Sequence, residues 1–151
     1  MAIVTGPAEA GDHEQIVELC ARCLTAPAEF FEARLRCPQL LPGGILAAKD
    51  EGRIVSTVHV YGLELNFGKA MVGCGGVANV ATHPDFRGRG LAKSLIFEAH
   101  RLILRNGMPI ALLGTDIQGF YVPLGYSVWE RAETEICLLY TSPSPRDRTR
   151  S

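Results

Sequence analysis

The residues with the clearest chemical potential follow an apolar run. Residues 71–80 lack helical spacing and predict a strand, and residues 90–106 are amphipathic and predict a helix. A helix start leaves main-chain N–H groups unpaired and carries partial positive charge. Two arginines and two glycines at this start favour binding of a phosphate or diphosphate. The stretch concerned is Arg87-Gly88-Arg89-Gly90-Leu91-Ala92.

The spacing of this stretch excludes two common phosphate-binding motifs. It lacks the Gly-Lys-Ser/Thr of the Walker loop, and Lys93 stands where the dinucleotide fingerprint needs a third glycine. Taken alone, the stretch is equally compatible with an ordinary strand–helix connection bearing solvated arginines.

The same six residues resemble the acyl-CoA-binding signature of the GNAT N-acetyltransferase superfamily, Gln/Arg-x-x-Gly-x-Gly/Ala. The preceding Thr82-His83-Pro84-Asp85-Phe86 resembles the usual lead-in of that signature. A second motif downstream resembles the family's Phe-Tyr-x-x-x-Gly-Phe/Tyr element: Phe120-Tyr121-Val122-Pro123-Leu124-Gly125-Tyr126. The resemblance covers roughly residues 3–136.

The resemblance implies an α/β (mixed α+β) fold, with a twisted mixed sheet flanked by helices and splayed parallel strands around acetyl-CoA. It also implies direct transfer of an acetyl group from acetyl-CoA, as cosubstrate, to a primary amine of a small molecule or peptide, with no metal. Val80 and Thr82 would bind the pantetheine arm and residues 87–92 the diphosphate. The main-chain N–H of Val80 or of its neighbour would polarise the thioester carbonyl.

The resemblance also implies that Tyr121 is the general acid that protonates the leaving thiolate. This role is physically reasonable, because a phenol has an ordinary pKa of about 10, close to that of a thiol. The alternative for Tyr121 is a core position with its hydroxyl satisfied. The residue that deprotonates the amine stays open, because the strand over residues 71–82 contains no carboxylate. The candidates are Asp116, Glu64, His83, His59 or a water relay.

Two other functions compete with catalysis. One is a non-catalytic acyl-CoA-binding sensor, or an inactive fragment of a larger acetyltransferase. The other is nucleic-acid binding, suggested only by an arginine-rich C-terminal stretch. Residues 50–56 and 75–84, together with Gly125-Tyr126, also resemble the enhanced-intracellular-survival subgroup, whose members carry further C-terminal domains.

Composition narrows the cellular setting. Of 151 residues 47% are hydrophobic, and the net charge of −1 favours neither nucleic acid nor a membrane surface as a partner. Five cysteines and no leader pattern indicate a reduced, cytoplasmic protein. Cys20 and Cys23 lie on one predicted helix and are interpreted as buried structural thiols. A homo-oligomer is left open.

Domain organisation is predicted as one GNAT domain over residues 1–136. Residues 137–151 turn abruptly polar and resemble a translated sequencing-adapter read-through, so they are interpreted as a non-native or disordered tail. Within the domain we predict a helix over 12–24, opened by a capping box of Asp12 and Gln15. The other predicted elements are a helix from 27 to 35, a loop at 42–44, a hairpin over 45–65, and strands at 110–114 and 126–131.

Overall fold

A computed structural model of the chain describes residues 2–128. Its strands are β1 (Ile3–Pro7), β2 (Leu40–Asp50), β3 (Arg53–Phe67), β4 (Ala70–Thr82) and β5 (Ile110–Leu112). Its helices are α1 (His13–Cys23), α2 (Ala28–Leu35), α3 (Leu91–Arg105) and α4 (Gln118–Tyr121). One compact unit ends at Leu112 and holds everything except α4, which belongs to a second unit.

The five strands form one sheet in chain order, β1-β2-β3-β4-β5. Neighbouring strands are antiparallel except β4 and β5, which are parallel, as the intervening helix α3 requires. The mixed α/β class predicted from the sequence is therefore confirmed.

Helices cover the sheet on both faces. On one face, α1 and α2 contribute Ile16, Cys20 and Phe31 to an apolar cluster with residues of β2, β3 and β4. Tyr61 of β3 also faces this side, where its hydroxyl donates to the carbonyl of Arg34 in α2 at 3.3 Å. The next residue along β3 and its partner on β4 face the other side, where α3 packs.

Gly75 shows why β4 can lie so close to α3. A Cβ at this position would lie 2.3 Å from Cγ1 of Ile103, a buried β-branched side chain. Close packing of the helix on the strand therefore explains this glycine. A sequence pattern alone cannot distinguish such packing from close approach of a ligand.

The predicted helices are confirmed, and Gly107 follows α3 with a φ of 74°, as expected of a residue that ends a helix. The predicted capping box is wrong. The Asp12 carboxylate accepts from the Glu9 N–H at 2.8 Å and pairs with Lys49, while Gln15 accepts from the Ile54 N–H at 3.0 Å. Both side chains tether α1 to the sheet, because strand partners distant in sequence compete for these polar groups.

The predicted loop at residues 42–44 is also wrong, because β2 runs through it. The pairing shifts from Leu40 opposite Tyr61 to Ile45 opposite His59, so the extra residues form a bulge. Gly44 is needed there, since a Cβ would lie 2.6 Å from the Val60 carbonyl oxygen.

The C-terminal predictions fall mostly beyond the described residues. Residues 126–128 have no strand assignment, and the rest of the strand predicted at 126–131 lies outside the described part, as does the tail at 137–151. The 1–136 domain boundary stays a prediction. Among the described residues, none of the helices has the length and apolar character needed to cross a bilayer.

Candidate functional site

Strand β4 has an edge that β5 covers only in part. The two strands pair at Cys74, Gly75 and Gly76, yet β4 continues for six more residues, to Thr82. Among residues 2–128, no strand pairs with β4 over residues 77–82 on that side. The edge of β4 beyond Gly76 is therefore uncovered by β5, and the splay of the two strands that the resemblance implies stays a prediction.

The hydrogen bonds at the end of β4 define which groups face this edge. The His83 N–H donates to the Val55 carbonyl of β3 at 2.8 Å, and Thr82 lies opposite Ser56. Because main-chain groups alternate between the two edges of an extended strand, the N–H and C=O of Thr82 point away from β3. The Thr82 carbonyl accepts from Arg87 Nε at 3.1 Å and from Cys23 Sγ at 3.5 Å.

The turn after β4 leads into α3 with its main-chain amides open. Gly88 and Gly90 adopt φ of 80° and 77°, and a Cβ at either position would meet no atom within 4 Å. In the part of the chain that the structure describes, the N–H groups of residues 88–92 donate to no protein acceptor. Helix α3 begins at Leu91, so these amides surround its positive end.

The two arginines of this turn differ in their surroundings. Arg87 is anchored on the Thr82 carbonyl, and its Nη2 lies 3.8 Å from Cys23 Sγ. Arg89 lies over the ring of Phe86, with its guanidinium carbon 4.7 Å from the ring centroid. Both keep their charge beside the open amides, but Arg87 has partners within the protein that its sequence position does not reveal.

The second unit contains Tyr121, at the end of α4. Its ring makes edge contacts with Phe120 and Tyr126, at centroid distances of 4.9 and 6.0 Å. Burial raises the pKa of the Tyr121 phenol, so it stays protonated at neutral pH. No described residue forms a hydrogen bond with its hydroxyl.

Both histidines that were candidates for the base, His59 and His83, have both ring nitrogens engaged. His59 is fully buried, with Nδ1 3.0 Å from Asn79 Nδ2 and Nε2 3.1 Å from Thr57 Oγ1. Burial is the main reason that its pKa falls to about 3, which makes it a weak base.

The second histidine, His83, is 6% exposed. Its Nε2 lies 2.9 Å from Arg53 and 3.3 Å from Arg22, and its Nδ1 accepts from the Asp85 N–H. Both arginines are donors, so they occupy the ring nitrogen that a base would need. The other candidates, Glu64 and Asp116, are exposed.

Sequence reasoning missed two contributors to this region. One is Asn79, which has a φ of 53° at a bulge of β4. The signal was an asparagine inside an apolar strand, since asparagine tolerates the left-handed conformation better than most residues. The other is Cys23, predicted to be a buried structural thiol like Cys20. Cys20 is buried, whereas Cys23 is only partly so and lies against the Thr82 carbonyl.

Comparisons with known proteins extend over most of the chain. No curated protein sequence matches it. A transcriptional regulator from Bacillus halodurans shares 20% identity at a TM-score of 0.71, over 87% of this chain and 97% of that one. A predicted acetyltransferase with acetyl-CoA from Clostridium acetobutylicum shares 15% identity at a TM-score of 0.68, over 87% and 96%. A GCN5-related N-acetyltransferase from Kribbella flavida shares 22% identity at a TM-score of 0.74, over 83% and 33%.

These structural similarities concern the fold. The family is shown by sequence, because the model of the acetyltransferase (GNAT) domain matches residues 6–129. That span includes the open strand edge, the glycine turn and Tyr121. The chain therefore belongs to the GNAT acetyltransferase family.

Proposed function

We propose that this protein is an N-acetyltransferase that moves the acetyl group of acetyl-CoA to a primary amine by direct attack. The observation that carries the proposal is the set of open amides at residues 88–92, next to a strand edge that β5 leaves uncovered. A diphosphate and an extended amide-bearing arm need these two kinds of main-chain surface, one after the other. Coenzyme A contains both groups in that order.

Binding of the diphosphate follows from the local geometry. The amides of residues 88–92 donate to its oxygens at the positive end of α3, and no side chain obstructs Gly88 or Gly90. The guanidinium groups of Arg87 and Arg89 add positive charge. The anchored Arg87 does so while also holding the strand end.

The pantetheine arm continues along the edge of β4. Its amides pair with the main chain at Thr82, whose N–H faces that edge, and at Val80, which has the same orientation by alternation. Because the Thr82 carbonyl already accepts from Arg87 and Cys23, the Thr82 N–H is its main contribution.

The proposed reaction forms one bond and breaks one. The neutral amine nitrogen attacks the thioester carbonyl, and the developing oxyanion accepts a hydrogen bond from the Val80 N–H. The tetrahedral intermediate then expels coenzyme A as the C–S bond breaks, and Tyr121 gives its proton to the thiolate. The attacking nitrogen releases a proton to water, because both buried histidines have engaged ring nitrogens.

Binding and turnover are tested separately. Isothermal titration calorimetry should show acetyl-CoA binding at least tenfold more tightly than acetyl-pantetheine, which lacks the diphosphate. Release of free thiol from acetyl-CoA is then measured across a panel of primary amines, from aminosugars to peptide amino termini. Equal affinity for the two thioesters would refute the diphosphate site.

Binding without thiol release for any amine would support the sensor function instead of catalysis. Removal of residues 137–151 should leave acetyl-CoA binding intact, whereas a polyanion-binding protein would lose its affinity for nucleic acid. The survival-type subgroup, the cytoplasmic location and the oligomeric state stay predictions.

A further inference from the structure

Strand β4 contains a bulge just before the residue proposed to contact the thioester. Thr57 pairs with Ala81, but His59 pairs with Ala78, so the single residue Val58 faces both Asn79 and Val80. Asn79 takes the left-handed conformation, with a φ of 53°. A side chain at such a position is strained unless neighbouring groups hold it.

The group that holds Asn79 is the buried imidazole of His59. The Asn79 amide nitrogen lies 3.0 Å from His59 Nδ1, and His59 Nε2 lies 3.1 Å from Thr57 Oγ1. The Thr57 hydroxyl in turn lies 2.8 Å from the Leu46 carbonyl oxygen of β2. His59 and Thr57 are both completely buried, so no bulk water competes for these bonds.

The direction of each hydrogen bond follows from the Leu46 carbonyl, which is the last group of the series. The Leu46 carbonyl can only accept, so the Thr57 hydroxyl donates to it and accepts the Nε2–H of His59. His59 Nδ1 therefore carries a lone pair and accepts from the Asn79 side-chain amide. Every group in this chain of four residues has a partner of the right kind, with a neutral imidazole.

We propose that His59 is a positioning residue that holds the bulge at Asn79 and thereby aims the Val80 N–H at the thioester carbonyl. This inference rests on the proposed function. The peptide group that carries the Val80 N–H directly follows Asn79, so the left-handed backbone at Asn79 sets the direction of that N–H. Without the hold on Asn79, the strand can relax towards regular pairing.

The charge state of His59 is consistent with this role. Burial, with smaller contributions from the positive charges of Arg34 and His13, lowers its pKa to about 3. The neutral tautomer that accepts from Asn79 therefore persists across the pH range in which the protein would work.

Two substitutions separate the two ring nitrogens. In His59→Asn the side-chain oxygen falls near the Nδ1 position and can still accept from Asn79. In His59→Gln the side-chain amide reaches the Nε2 position instead, and can still donate to Thr57. Both variants remove the same buried imidazole ring. If His59 only filled space in the core, the two variants should therefore have similar effects.

The readout is the ¹³C NMR resonance of the thioester carbonyl in acetyl-CoA that is labelled at this carbon. Hydrogen bonding to the carbonyl oxygen moves this resonance, and the measurement needs no acceptor amine. For the wild-type protein we expect a shift on binding. His59→Gln should lose most of that shift with less than a threefold change in acetyl-CoA affinity, and His59→Asn should lose less. Where an acceptor amine is found, His59→Gln should lower kcat about tenfold with KM for acetyl-CoA unchanged.

Ile16→Val is the control for general destabilisation. Ile16 is fully buried in α1 and lies outside the chain of hydrogen bonds, so this variant should unfold earlier and keep the full carbonyl shift. Asn79→Gly provides a second test that leaves the buried imidazole of His59 in place. It keeps the left-handed backbone, loses the contact with His59, and should lose carbonyl shift as His59→Gln does.

The outcomes distinguish the role of the Val80 N–H from the role of His59. A wild-type carbonyl resonance that does not move, although acetyl-CoA binds, would refute the proposed role of Val80 and this inference with it. A shift that is present in the wild type and equally present in His59→Gln and Asn79→Gly would overturn the positioning role alone. Equal losses in His59→Asn and His59→Gln would also overturn it.

Discussion

Arg87 Nε donates to the main-chain carbonyl of Thr82 at 3.1 Å, so the glycine turn is fastened to the strand that precedes it. The hydrogen bond spans five residues and closes the loop between β4 and α3. It orders the turn while leaving the amides of residues 88–92 open. Arg87 therefore contributes a hydrogen bond that orders the turn as well as a positive charge.

Arg87→Ala should weaken acetyl-CoA binding about tenfold, since it removes both a charge-assisted hydrogen bond and a nearby cation. The measurement is titration calorimetry at fixed ionic strength. Arg101→Ala is the matched control, because Arg101 is an exposed arginine of α3, away from the glycine turn, and should leave the affinity unchanged. Equal losses in both variants would indicate a general effect of net charge.

Gly90 and Gly107 stand at opposite ends of α3 with nearly the same backbone conformation, at φ of 77° and 74°, and with open space around both. Alanine at either position should lower the free energy of unfolding by about 1 kcal/mol, because both strain the left-handed region. Only Gly90→Ala should weaken acetyl-CoA binding, since only that end offers amides to the diphosphate. Denaturant unfolding and calorimetry on the same two variants check both parts, and equal affinities would contradict the assignment.

Tyr121→Phe should lower kcat about a hundredfold while KM for acetyl-CoA changes little, because it removes only the proton donor. Stability should hardly change, since the hydroxyl has no partner among the described residues. Tyr126→Phe makes the same chemical change five residues later and should keep most of the activity. Steady-state kinetics with an amine found by the panel provide the measurement, and a normal kcat in Tyr121→Phe would remove the residue from the mechanism.

Stability should fall as pH falls between about 6.5 and about 3, because the unfolded chain protonates His59 in that interval and the folded protein does not. The slope contributed by this residue approaches about 1.4 kcal/mol per pH unit. His59→Gln removes that contribution. Part of the slope should remain, since burial also lowers the pKa of His100. Urea unfolding at a series of pH values measures both proteins, and identical slopes would contradict the prediction.

The elements with strong local signals could be predicted from sequence. Helix α3 shows a clear apolar stripe and a glycine after its last turn, and the turn before it has a diagnostic spacing of arginine and glycine. The structure agrees closely with both. Tyr121 was found through its motif, and its role stays a prediction.

The parts that sequence missed depend on partners far apart in the chain. Gln15 was expected to cap α1, yet it bonds to Ile54, 39 residues away. Asn79 is a polar residue in an apolar stretch, and only the folded sheet brings it to His59, 20 residues earlier. Such pairings come from sheet register, which no local pattern of residue types encodes.

The absence of a side chain at Gly75 has a mechanical consequence for the far end of α3. Ile103 rests directly on β4 there, and Leu91 begins the same rigid rod about 18 Å away, at 1.5 Å of rise per residue. A side chain at residue 75 would push the C-terminal part of α3 away from the sheet. The helix would tilt, and its N-terminus would be displaced. The orientation of the first amides of α3 therefore depends on the absence of a side chain at Gly75, about three helical turns away.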